Sequence, residues 1–252
     1  YAGTRLAGDL EVGLESGDHA HFNVAGGRLI LMQDSLRLGE HTGSIAECSL
    51  SSGAIYSAMD VFVGAANNVP GRATRATLRI SGGAFLGRSL TLGEGMGAHS
   101  TLAIAGSAPD AIALWDYLYV YAHTDPAGPT GHTTLAFTLD AHGVTPITIQ
   151  SRHDGLRIRE DPRSEADLQI FLAAIPPRDN IPLVIANVAP RGTFHGLPEG
   201  ADIHADFDHR TYHFTLTYKG GRAGHDLVLL NKNTVPPGTP VTHTRPVPLP
   251  PK

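Results

Sequence analysis

Apolar residues recur at alternate positions in short runs along the first half of the chain, a period of two that predicts β-strands rather than helices. The most regular run is an apolar-x-apolar-Gly tetrad: Leu10, Val12 and Gly13; Leu36, Leu38 and Gly39; Val61, Val63 and Gly64; Leu90, Leu92 and Gly93. Its glycines are 26, 25 and 29 residues apart. Leu118 and Val120 continue the series 28 residues after Leu90, with Tyr121 in place of the glycine. A glycine turn followed by an apolar residue precedes the tetrads: Gly26-Gly27 before Leu29, Gly53 before Ile55, Gly82-Gly83 before Phe85, and Gly106-Ser107 before Ile112. A third alternating run follows them, with Phe22 and Val24, Cys48 and Leu50, Leu78 and Ile80, Leu102 and Ile104, and then Leu135, Phe137 and Leu139.

Three short strands per repeat with glycine corners describe one coil of a β-solenoid, which buries its apolar face only by stacking on its neighbours. The stack predicts interior columns Leu36–Val61–Leu90–Leu118 and Leu38–Val63–Leu92–Val120. A β-sandwich could carry strands at this spacing, but it needs no matching columns from repeat to repeat. The expected fold is therefore all-β: a right-handed parallel β-helix of about five rungs over residues 1–143. From about Val144 the repeat markers stop, so residues 144–231 are expected to form a C-terminal β cap continuous with the solenoid. Residues 232–252 form a proline-rich tail or linker, since the seven prolines among the last 19 residues favour extended polyproline conformation over sheet pairing.

Composition narrows the function classes. Glycine at 29 and proline at 18 of 252 residues, with 17% charged residues, fit a turn-rich all-β chain. The formal charge is -5 and the three lysines form no basic run, so nucleic acid is excluded as an expected partner. No stretch reaches the roughly 18 apolar residues of a membrane-spanning helix. The chain starts at Tyr1 and reads as a portion of a longer precursor. The single cysteine, Cys48, excludes an internal disulfide framework, and its place in a predicted interior column makes it a buried structural residue rather than a nucleophile.

The expected cap carries a recognisable segment: residues 192–201, reading Gly-Thr-Phe-His-Gly-Leu-Pro-Glu-Gly-Ala, then Tyr212, Phe214 and Tyr218, Gly220-Gly221, and Asp226-Leu227-Val228-Leu229. This resembles the closing segment of autotransporter-like, repeat-rich secreted bacterial surface proteins. His225 and Arg222-Ala223 depart from that pattern. The resemblance implies a passenger-type parallel β-helix and a secreted or cell-surface location, and it implies no catalytic mechanism.

Candidate chemistry gathers at one corner and on one strand. Glu15, Asp18, His19, Glu40, His41, Glu94, His99, His123, Asp125 and His132 fall between the second and third strands of their repeats, where adjacent corners stack about 4.8 Å apart. Imidazole and carboxylate suit a divalent transition metal, and His41, His99, His123 and His132 are the candidate ligands. With Leu118 and Val120 inward, Tyr117, Tyr119 and Tyr121 turn outward together, either as a ladder for sugar rings or as apolar surface covered by the cap. The outward Asp34, Asp60 and Asp116 do not meet the separation of a catalytic carboxylate pair, because Asp34 and Asp116 lie three rungs, about 14 Å, apart. No nucleophile elbow, P-loop or dinucleotide fingerprint is present. The expected function is a non-catalytic extracellular structural, adhesive or assembly-forming surface module, with polysaccharide or self-association as partners and the tail as a link to another domain or subunit. The alternative is a carbohydrate-active β-helix enzyme, either polysaccharide lyase or glycoside hydrolase, or a carbohydrate-binding module.

Overall fold

The computed structural model describes residues 3–6, 9–13, 15–41, 43–65, 73–124, 130–177 and 179–232. Most of the expected tail lies outside the described residues, as do 66–72 and 125–129, Asp125 among them, in two of the corners between second and third strands. The described chain is all β and forms a parallel β-solenoid built from three stacks of strands. In the first stack Leu29, Ile55, Phe85, Ile112, Ile147 and Val184 follow one another in register. The second runs Leu10, Leu36, Val61, Leu90, Leu118, Leu156. The third runs Phe22, Cys48, Leu78, Leu102, Leu135, Leu168. The interior columns expected from the tetrads are the observed pairings.

Alternation is the cause. In the strand Arg75–Ile80 the residues Ala76, Leu78 and Ile80 are buried while Arg75 and Arg79 are exposed, so each coil turns one apolar edge inward and closes it against the next. The tetrad glycines Gly13, Gly39, Gly64 and Gly93 all have φ between 70° and 79°, a left-handed corner that residues with a Cβ adopt at a cost. Where Tyr121 replaces the glycine the strand does not turn. It runs on as Leu118–Ala122, pairing Tyr121 with Arg159 and Ala122 with Glu160.

The solenoid does not stop at residue 143. Ile147–Ile149, Leu156–Glu160 and Glu165–Leu172 form a sixth turn in parallel register on the fifth. Ile181–Ala186 then opens a seventh layer on the first stack. The cap proper is the antiparallel meander Asp202–Phe207, Arg210–Gly220 and Asp226–Asn231, joined to the solenoid through Ile181–Ala186. Asp208 and His209, both at positive φ, make the two-residue turn whose twist suits a hairpin.

Residues 192–201 and Tyr218 form the latch of this cap. Tyr218 donates its hydroxyl proton to the Leu197 carbonyl at 2.7 Å and accepts from the Phe194 N–H at 3.0 Å. Glu199 accepts from the Thr217 hydroxyl and the Tyr218 N–H. Burial pushes the Tyr218 phenol up to about 12, so it stays a donor across the physiological range. Tyr218→Phe removes the hydroxyl that serves both groups and is expected to cost about 1–3 kcal/mol, measured by urea unfolding at neutral pH.

Cys48 is 1% exposed, between Phe22 and Leu78 in the third stack. Burial pushes its thiol up to about 12, and thiolate is the reactive form. A thiol reagent at neutral pH is therefore expected to label the native protein only after denaturation. Cys48→Ala should lower stability by about 1 kcal/mol, as a small core truncation does.

Candidate functional site

Outward residues of the second stack form the aromatic surface. Tyr117 and Tyr119 stack with ring centroids 3.8 Å apart and planes 19° from parallel, and Tyr119 and Tyr121 follow at 5.1 Å and 28°. All three are half-buried. Strand alternation puts them on one side, and the sixth turn covers part of it, with the Arg157 guanidinium 5.0 Å from the Tyr119 ring centre and held by Asp154. His123 closes the far end edge-on against Tyr121, at 5.5 Å. The rings therefore spend their faces on one another and on Arg157. The faces between the three rings are closed to a sugar ring.

The four candidate metal ligands do not converge. His41 is exposed at the corner of the second turn, where its carbonyl accepts from the Ser44 and Thr74 hydroxyls. It lies three turns, about 14 Å of strand spacing, from His132. His123 is engaged with Asp161, Nδ1 to Oδ2 at 3.0 Å. Burial works against the Asp161 charge, but the hydrogen bond with His123 and that ring's charge outweigh it and hold the carboxyl below its ordinary value. Only His99 and His132 meet, as register neighbours with ring centroids 6.1 Å apart.

Around His132 the structure assembles partners that lie beyond residue 143. His132 pairs in register with Glu165. Its Nδ1 lies 3.4 Å from Glu165 Oε2 and its Nε2 3.2 Å from Asp167 Oδ2. His195, whose backbone N–H donates to the Ala166 carbonyl, sits above them. Its Nδ1 is 3.3 Å from Glu160 Oε2 and its Nε2 3.9 Å from Glu165 Oε1. Glu160 is anchored in turn by the Ala166 N–H at 2.8 Å. Among the described residues, His132, Glu165 and Asp167 are the group whose donor atoms all fall within 4.8 Å of one another.

The electrostatics follow from crowding. Burial raises the Asp167 carboxyl; Glu165 and Glu160 push the same way, against His132 and His195. The hydrogen bond to Glu160 raises the exposed His195 imidazole. Burial lowers His99, and the charges of Arg75 and His132 reinforce the shift. Its place at the corner of the repeat identified His132; Glu160, Glu165, Asp167 and His195 were missed. The signal that finds two of them is the Glu165-x-Asp167 alternation opening a strand with Ala166 and Leu168 inward, which places both carboxylates on the His132 side.

The aspartate columns hold local ion pairs and hydrogen bonds. Asp116 pairs with Arg88 at 2.8 Å, and Asp60 accepts from the Ser89 hydroxyl.

Histidine proton titrations by NMR test this arrangement. His195 is expected to titrate above, and His99 below, the ordinary value of about 6.5. A raised histidine contributes stability that is complete below its unfolded value and is lost as pH rises through its folded one. Glu160→Gln should therefore return His195 toward the ordinary value, leave His99 in place, and remove any stability contribution of this pair seen on the acid side.

No family model, curated protein or solved structure matches this chain.

Proposed function

We propose that the chain is a non-catalytic, assembly-forming structural module of the bacterial cell exterior, and that it associates with a second copy through the open end of its third stack. One observation carries the reading. The strand Glu165–Leu172 pairs on one side with His132–Leu139, and the N–H groups of Glu165 and Ala173 donate to that side. By alternation Leu168, Ile170 and Leu172 turn their backbone groups to the other side, where no strand is paired among the described residues. Ala166 is bonded there by Glu160 and His195, and the cap strand Asp202–Phe207 lies alongside without pairing to it.

Beside this edge runs an open groove lined by Leu168–Phe171, Leu197 and 202–204, with Phe171 52% exposed on its rim. An unpaired edge next to exposed apolar surface is a template for strand addition. Two copies of one edge can meet about a twofold axis, because each offers the other the same donors and acceptors. The resemblance to secreted surface proteins supports the extracellular setting. The stacked tyrosines and locally paired aspartates give the carbohydrate-active alternative less support, since neither presents converging groups to a substrate.

Sedimentation velocity across a wide concentration range tests the proposal. Reversible association of the 252-residue chain is expected, with Phe171→Asp suppressing it while the monomer's unfolding transition stays within about 0.5 kcal/mol of wild type, as for an exposed position. A strict monomer, or association that Phe171→Asp leaves unchanged, overturns the assembly reading. Reducing-end or unsaturated products released from any of a panel of plant, algal and bacterial polysaccharides overturn the non-catalytic one.

A further inference from the structure

We propose that the corner formed by His132, Glu165 and Asp167, with His195 as fourth donor, is a binding site for a divalent transition cation of the zinc class. The site draws on three successive layers: His132 opens the third strand of the fifth turn, Glu165 and Asp167 the corresponding strand of the sixth, and His195 belongs to the loop that crosses the end of the stack.

Spacing supports it first. Zinc holds nitrogen and carboxylate oxygen at roughly 2.0–2.2 Å in a tetrahedral shell, so two donors of one ion lie roughly 3.3–3.6 Å apart. His132 Nε2 and Asp167 Oδ2 are 3.2 Å apart and His195 Nε2 and Glu165 Oε1 3.9 Å, while the three-residue group closes within 4.8 Å. The half-exposed Glu165 and His195 have room to rotate toward a common centre with His132 and Asp167.

Orientation supports it next. A ligating histidine ordinarily gives its second ring nitrogen to a carboxylate, which sets its tautomer and aims the first. His195 has that arrangement: Nδ1 on Glu160, itself fixed by the Ala166 N–H, and Nε2 directed toward Glu165. The ring of His99 flanks His132 at 6.1 Å, limiting the positions open to it.

Charge is the third argument. Three carboxylates, Glu160, Glu165 and Asp167, crowd one corner beside the His132 and His195 rings. A divalent ion relieves the repulsion and keeps every donor deprotonated. Mixed imidazole and carboxylate donors select zinc, copper or nickel over calcium, which takes six to eight oxygens.

Equilibrium dialysis of the chelator-treated full chain against zinc alone tests the site. One zinc per chain is expected, with a rise in melting temperature on addition. His132→Ala, Asp167→Asn and the near-isosteric Glu165→Gln should each weaken retention by at least about tenfold, with far-UV circular dichroism confirming that the variants fold. His41→Ala, three turns away, should bind as wild type does. Absence of bound zinc, binding that all three variants leave unchanged, or tighter binding of calcium than of zinc would overturn the proposal.

Discussion

At the corners of Gly39, Gly64 and Gly93 the next turn leaves no room for a side chain, and the stacking of the turns depends on that close approach. A Cβ placed on Gly39 would meet the γ-methyl of Thr74, and one on Gly64 the hydroxyl of Ser100. One on Gly93 would meet the Tyr121 carbonyl and the Thr133 hydroxyl. The glycines are thus required twice, for their left-handed φ and for the space they leave to a following turn. Facing them is a buried column of small residues, Ala46, Ala76, Ser100, Thr133 and Ala166, in unbroken register. Where the corner closes this tightly, successive second and third strands align, and a one-residue slip would turn every leucine of a column outward.

That constraint explains what could be read from the sequence and what could not. Leu36, Val61, Leu90 and Leu118 were legible as a column because each but the last carries its glycine three residues on, which phases the repeat. After Tyr121 the marker is absent. Ile147, Ile149, Leu156, Ile158 and Leu168 still alternate and are still buried, but without a glycine to phase them their strands could not be assigned to stacks. The apparent end of the solenoid at residue 143 was the end of the markers, while the packing periodicity went on for a sixth turn.

The candidate chemistry was obscured for the same reason. His132 was visible as a corner residue, but its partners Glu165 and Asp167 become neighbours only through the register of the sixth turn, and His195 only through the cap crossing above Ala166. The tyrosines illustrate a different limit. Period two predicts that Tyr117, Tyr119 and Tyr121 share a side, and they do. It does not predict that they stack on one another or that Arg157 lies over the middle ring. Those contacts depend on the neighbouring turn, and they decide whether an aromatic surface presents faces or edges.

A solenoid has to end, and this one covers its three stacks unequally. The first continues into Ile181–Ala186, whose other side the antiparallel strand Asp226–Asn231 occupies. The second receives a single parallel bridge, Arg157 to Arg191. The third is bonded at Ala166 by Glu160 and His195, and beyond it no strand pairs with it among the described residues, the cap strand Asp202–Phe207 lying alongside. The same strand thus carries a crowded carboxylate–imidazole cluster at its start and an open edge at its finish. Any ligand that binds the cluster only when His195 is seated favours the seated cap by RT ln(1 + [L]/Kd). Because His195 donates to the backbone of the strand itself, that stabilisation acts on the segment leading into the edge. If strand addition at the edge also requires the seated cap, the two events are coupled through one short strand, and by linkage each then tightens the other by the same factor.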